Sequence, residues 1–159
     1  MFVRAGPGAA RAADCTENAA AHKSNFQGLA GRKMAGVYEL FVTGDFCAAH
    51  CLEGYEGPCA RVHGHNWGVV AHVQCRELDA TGMGLDFLAV KKALDQVTKP
   101  LDHADLNALP ALAGVHPTAE VLARHIYREL SGLLNGPGTH VAKVTVTESK
   151  GFGASYWED

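Results

Sequence analysis

His63, Gly64 and His65 follow one another in a run of strand-forming residues, VHGHNWGVVAHVQC. Side chains two apart leave the same face of a pleated strand, so the two imidazoles point together, and Gly64 removes bulk on the opposite face. A third histidine, His50, ends the preceding strand-like run, close to where a hairpin partner of His63 and His65 would lie. Three neutral imidazoles with a fourth position left open are the ligand set of a catalytic Zn²⁺ site. The competing reading is a pair of strand histidines satisfied by backbone carbonyls.

Other residues in the chain can do chemistry beside such a centre. Cys59 precedes His63 by four residues, and a thiol near a metal can have its pKa lowered enough to act as base or nucleophile. It could instead be a fourth ligand, although the chain lacks the paired Cys-x-x-Cys of zinc fingers. Cys51, beside His50, is the rival thiol, while Cys47 and Cys75 read as small core or loop residues. Asp102 and His103 form an acid-imidazole pair with Asn107 close behind, an arrangement suited to a proton shuttle or to an exposed loop contact. Glu148 sits among Val144, Val146 and Thr147, where an unpaired carboxylate is costly and a ligand edge with two adjacent N–H groups would suit it.

The elements that must carry these residues are legible in outline. VYELFVTGDF reads as a strand reaching His50, the Gly- and Pro-containing CLEGYEGPCAR as a long loop, and the HGH run as the antiparallel partner. Asp86 can cap a helix over 86–99, with Phe87, Val90, Leu94 and Val97 on one face and Pro100 ending it. LDHADLNALPALAGVHP reads as a polar loop. Thr118 can then cap a second helix reaching Leu134, with Glu120 in its first turn and Val121, Leu122, Ile126, Leu130 and Leu133 as its stripe. Strands near 140–148 and 153–158 complete the order ββααββ, an α+β chain.

With 159 residues, 47% hydrophobic and 19% charged, the composition is that of one globular domain. No apolar run is long enough for a membrane-spanning helix. Net charge is −3, and the first 33 residues carry +3, which leaves an acidic body unsuited to nucleic acid. Those residues, rich in Ala and Gly, read as a disordered N-terminal extension, with the folded domain over 34–159. Five cysteines and no secretory-signal pattern point to reduced thiols and a cytoplasmic setting.

Several short runs occur in order: Phe46-Cys47-Ala48-Ala49-His50, Cys59-Ala60-Arg61-Val62-His63-Gly64-His65, Gly82-Met83-Gly84-Leu85-Asp86-Phe87, Leu101 to Asn107, Pro117-Thr118-Ala119-Glu120 and Thr147-Glu148. Together they resemble the 6-pyruvoyltetrahydropterin synthase family, and within it the bacterial 6-carboxytetrahydropterin synthases of queuosine (7-deazaguanine) biosynthesis. The resemblance spans 36–158. It implies the tunnelling fold, a four-stranded antiparallel sheet with two helices on one face, assembled as a homohexamer (dimer of trimers) with active sites between subunits.

Carried over residue by residue, the resemblance implies Zn²⁺ on His50, His63 and His65, and Cys59 as the thiol that takes a proton from the substrate side chain. Asp102 and His103 would handle protons on the opposite face. Glu148 would grip the amino-pyrimidine edge of the pterin, with Thr118 and Glu120 near the same pocket. The implied substrate is 7,8-dihydroneopterin triphosphate, cleaved to 6-carboxy-5,6,7,8-tetrahydropterin, acetaldehyde and triphosphate. The alternatives are the 6-pyruvoyl product and a non-catalytic pterin- or metal-binding paralogue, against which the intact set Cys59, Asp102 and His103 stands. Ser149 follows Glu148 where the family often has Thr, and the N-terminal extension is a further departure. Arg61, Lys91, Lys92, Lys99 and Lys150 all remain open as holders of the triphosphate.

Overall fold

A computed structural model describes residues 36–159. The expected N-terminal extension over 1–33 lies outside the described residues. The chain opens with two long strands, β1 (Tyr38–His50) and β2 (His63–Cys75), paired antiparallel along their whole length. Helix α1 (Phe87–Thr98), a two-residue strand β3 (Ala104–Asp105) and helix α2 (Ala119–Leu134) follow, and a hairpin of β4 (Thr139–Ser149) and β5 (Phe152–Tyr156) ends the chain. The sheet order is β3-β1-β2-β4-β5.

Alternation along the strands divides the sheet into two faces. Phe46, Ala48, Trp67, Val69, Ala71, Val73, Val144 and Val146 are buried on one of them, beneath the helices. The other face is more polar: Glu39 accepts a hydrogen bond from Gln74 and pairs with His72 there. Helix α1 turns Val90, Ala93, Leu94 and Val97 inward, and α2 turns Leu122, Ala123, Ile126, Tyr127 and Leu130. Both helices start at side-chain caps, Asp86 accepting the Leu88 N–H and Thr118 the Val121 N–H.

The α+β class stands, with three corrections of detail. The sheet has five strands rather than four, because β3 adds a short parallel edge beside Ala48 and Ala49 of β1. The stretch expected as a polar loop between the helices is anchored: Leu101, Leu106 and Leu112 are buried, and two 3₁₀ turns run over Leu106–Ala108 and Pro110–Leu112. Phe87 and Leu133 lie at the ends of their helices and are 58% and 48% exposed, so the inward stripes are filled instead by Ala93 and Ala123, small enough for close packing. No described helix is long and apolar enough to cross a membrane.

Candidate metal centre and active site

The β1–β2 register places His50 directly opposite His63, and Ala48 opposite His65. Because His50, His63 and His65 share the helix-covered face, their rings converge at the open end of the hairpin. Ring centroids lie 4.6 Å apart for His50 and His63, 4.8 Å for His63 and His65, and 5.3 Å for His50 and His65. Trp67 closes the inner side, buried and edge-on to His50 at 5.0 Å and His65 at 5.4 Å, with its indole N–H donated to the Ala48 carbonyl.

Two of the rings are held by backbone carbonyls on the side away from the cluster. His50 Nδ1 lies 2.9 Å from the Pro117 carbonyl, just before α2, and His63 Nδ1 lies 2.7 Å from that of Arg61. A carbonyl accepts only from an N–H, so each Nδ1 carries the proton and each Nε2 presents a bare lone pair. Burial is the main reason that the pKa of His50 falls below the ordinary histidine value, which keeps that ring neutral.

Among the described residues four buried side-chain polar atoms lack a hydrogen bond, and three of them are Nε2 of His50, His63 and His65. Buried polar groups are rarely left so. Glu148 Oε1 comes within 3.1 Å of His65 Nε2 without completing a hydrogen bond. The ligand atoms of the three histidines and Glu148 all lie within 4.8 Å of one another. Three clustered imidazoles, two of them oriented by backbone carbonyls, fit a divalent first-row ion. Of the strand pair only His63 has a carbonyl partner, so carbonyl contacts alone do not satisfy both rings, and the Nε2 atoms of all three histidines lack a hydrogen bond. The fourth group of the cluster is Glu148; Cys59 is not one of the four.

Glu148 is brought there by a bulge. The β4–β5 register passes from Thr147 opposite Gly153 to Ser149 opposite Phe152, leaving Glu148 as the extra residue, beyond the end of its pairing with β2. Lys150 and Gly151 form the turn that follows, and Gly151 takes a φ of 90°, a conformation that suits glycine.

Asp102 and His103 flank the opposite side of β1. Asp102 Oδ1 accepts the Cys47 N–H at 2.9 Å and lies 2.9 Å from His103 Nδ1. The Cys47 N–H, followed by the His103 ring, holds the Asp102 carboxyl below its ordinary pKa. His103 adopts a φ of 55°, in the left-handed region, while its own N–H donates to the Cys47 carbonyl at 2.6 Å. Its side chain is 81% exposed.

One cleft, of about 810 Å³, joins His103, Ala104 and Asp105 to His65, Asn66, Glu148 and Lys150. Gly64 lines it too; a Cβ there would meet only the Ala48 carbonyl oxygen at 3.7 Å, so steric need does not demand a glycine. Cys59, Thr118 and Glu120 are not among its lining residues. Cys59 is half-buried in a 3₁₀ turn over Pro58–Ala60, tied by its carbonyl to the Leu52 N–H. Thr118 caps α2 and, with the backbone there, holds the carboxyl of the exposed Glu120 below its usual pKa. Of the five cations considered for the triphosphate, Lys150 lines the cleft; Lys91 pairs with Asp95, and Arg61 supplies the carbonyl behind His63.

Pro117 and Trp67 carry no signal as site residues in the spacing, because they act through a backbone carbonyl and a buried ring edge. Asn107 bonds both backbone groups of Cys51.

Comparison with known proteins agrees with this architecture. The family model described as 6-pyruvoyl tetrahydropterin synthase matches residues 39–159. The 6-carboxy-5,6,7,8-tetrahydropterin synthase of Synechocystis sp. is 37% identical over 116 residues, covering 70% of this chain and 85% of that protein. Human 6-pyruvoyl tetrahydrobiopterin synthase is 34% identical over 89 residues, covering 55% and 61%. Among solved structures, the 6-pyruvoyl tetrahydropterin synthase of Caenorhabditis elegans superposes with a TM-score of 0.69 at 25% identity, covering 78% of this chain and 97% of that one.

Proposed function

The chain belongs to the 6-pyruvoyl tetrahydropterin synthase family, and from that premise we propose that it is a zinc-dependent lyase of queuosine biosynthesis. It converts 7,8-dihydroneopterin triphosphate and water to 6-carboxy-5,6,7,8-tetrahydropterin, acetaldehyde and triphosphate. The observation that carries this reading is the convergence of three unpartnered Nε2 atoms beside a carboxylate. The identity with the Synechocystis protein supports the carboxy-forming branch over the pyruvoyl-forming one.

His50, His63 and His65 would hold the ion. When bound, zinc would polarise the side-chain hydroxyls of the substrate and lower their pKa toward neutrality. Cys59 takes a proton from the substrate side chain. Asp102 stays ionised and sets the tautomer of His103, which moves protons on the other face. Glu148, re-aimed by its bulge, accepts the paired N–H groups of the amino-pyrimidine edge. Thr118 and Glu120, at the start of α2 beside the Pro117 carbonyl that holds His50, are assigned to the pterin side from the family resemblance alone, and Lys150, which lines the cleft, to the triphosphate.

The same proposal includes the cytoplasm as the working compartment and a homohexamer, a dimer of trimers, as the working form. Its support is physical: β1 is paired on its outer side only at Ala48 and Ala49, and β5 pairs only with β4, so both long edges of the sheet are open. The exposure of His103 in a single chain fits a site completed by a second copy. A monomer by size-exclusion chromatography with light scattering would reject the assembly.

The chemical test is incubation of the zinc-loaded full chain with 7,8-dihydroneopterin triphosphate, products identified by mass spectrometry and acetaldehyde trapped. The carboxy product with acetaldehyde is expected. A 6-pyruvoyl product would move the protein to the other branch, and bound zinc without turnover would make it a binding paralogue.

A further inference from the structure

We propose that Asn107 is a positioning residue that fixes the loop bearing Cys59 to the segment bearing Asp102 and His103; this rests on the roles given to those three residues above. The parallel ladder between β1 and β3 has two steps, Ala48 with Ala104 and Ala49 with Asp105. Beyond it the chain turns into the 3₁₀ helix Leu106–Ala108, and its backbone leaves β1. The Asn107 side chain takes over where the backbone stops. Its Oδ1 accepts the Cys51 N–H at 2.9 Å, and its Nδ2 donates to the Cys51 carbonyl at 3.0 Å. A carboxamide that bonds both polar groups of one residue imitates a further step of a ladder.

Asn107 is itself held in place. Asp105 Oδ1 accepts its N–H at 3.0 Å, and Leu106 beside it is fully buried. Its effect on Cys59 runs through one peptide plane. The Cys51 carbonyl and the Leu52 N–H belong to the same rigid unit, so fixing one end fixes the other. Asn107 Nδ2 holds the oxygen end, and the nitrogen end donates to the Cys59 carbonyl at 2.8 Å. At the far end of the same segment, Asp102 and His103 bond the N–H and carbonyl of Cys47. Asn107 touches no reacting atom. It sets the distance between the thiol and the acid-imidazole pair by tying both to the C-terminal end of β1, at Cys47 and at Cys51 just beyond it.

The test compares the zinc-loaded full chain with Asn107→Asp, which keeps the acceptor for the Cys51 N–H and loses the donor, and with Asn107→Ala, which loses both. Four quantities are read: amide hydrogen exchange over 52–60, the iodoacetamide alkylation rate of Cys59, and kcat and KM for 7,8-dihydroneopterin triphosphate. Faster exchange confined to the loop and an altered alkylation rate are expected, with zinc content and β2 exchange unchanged. Because small misplacements of a catalytic group are costly, kcat should fall about 100-fold in the alanine variant with little change in KM. Wild-type loop exchange and alkylation in both variants would overturn the proposal, as would equal acceleration of exchange throughout the chain. If the alanine variant does not fold, the aspartate variant decides. If the wild-type protein does not turn over this substrate, the proposed function fails, while exchange and alkylation still decide the role of Asn107.

Discussion

Asp102 and Cys47 lie 55 residues apart in sequence, yet the carboxylate of one accepts the backbone N–H of the other at 2.9 Å. The next residue returns the contact, the His103 N–H reaching the Cys47 carbonyl at 2.6 Å. An acid-imidazole pair that sequence alone places in a loop is thereby attached to the strand that also carries His50. Cys47, whose thiol donates to Asn66 Oδ1, matters here through its backbone.

Replacing Asp102 with Asn keeps an oxygen for the Cys47 N–H and removes the charge facing His103. Turnover should fall about 100-fold, within the usual range for a lost general acid-base partner, with zinc content unchanged. Steady-state kinetics with metal analysis checks this, and undiminished kcat would dismiss a proton-handling role for the pair.

Cys59→Ala should abolish turnover while the protein keeps its zinc and still binds a pterin. Cys59 stands outside the group of four clustered ligands, so metal content should be indifferent to it. Activity at the wild-type rate would reassign the thiol chemistry, with Cys51 the next to test.

Glu148 lies within the cluster of candidate ligand atoms and is also the carboxylate proposed for the pterin edge. Glu148→Gln separates the two roles. Three imidazoles suffice for zinc, so the variant should retain metal and lose pterin affinity, as titration calorimetry would read. His63→Ala, by contrast, should strip the ion. Zinc lost in the glutamine variant as well would make Glu148 a ligand.

The depressed pKa of His50 gives the metal-free protein a defined pH dependence. The unfolded chain takes up this proton near pH 6.5, while burial holds the folded group below that. Between those values the unfolded state binds more protons, so the stability this group allows is complete above about pH 6.5 and is lost as pH falls toward the folded pKa. Thermal midpoints in chelator should drop from about pH 7 to pH 5, and His50→Gln should flatten that slope. An equal slope in both proteins would locate the effect elsewhere.

Strand periodicity and helix caps made most of the fold legible, because each is written in neighbouring residues. Asp86 and Thr118 cap as their positions suggest, and the HGH spacing puts two rings on one face. What escaped was non-local. His50 falls opposite His63 as expected, but the carbonyls of Pro117 and Arg61 that hold the Nδ1 atoms have no side-chain signature. Glu148 reads from sequence as a mid-strand residue, whereas a bulge leaves it without a partner in either neighbouring strand. Leu101, Leu106 and Leu112 sit too irregularly to show a period, so an anchored segment passes for a polar loop.

The loop from Cys51 to Val62 has a closed base and an exposed tip. The His50–His63 pair, the Leu52–Cys59 bond and the Asn107 clamp secure the base, while Glu53 to Gly57 are exposed to solvent. The entropic cost of a longer loop grows only slowly with its length. The tip is therefore where this scaffold can accept inserted residues while His50 and His63 stay in register at the loop's base.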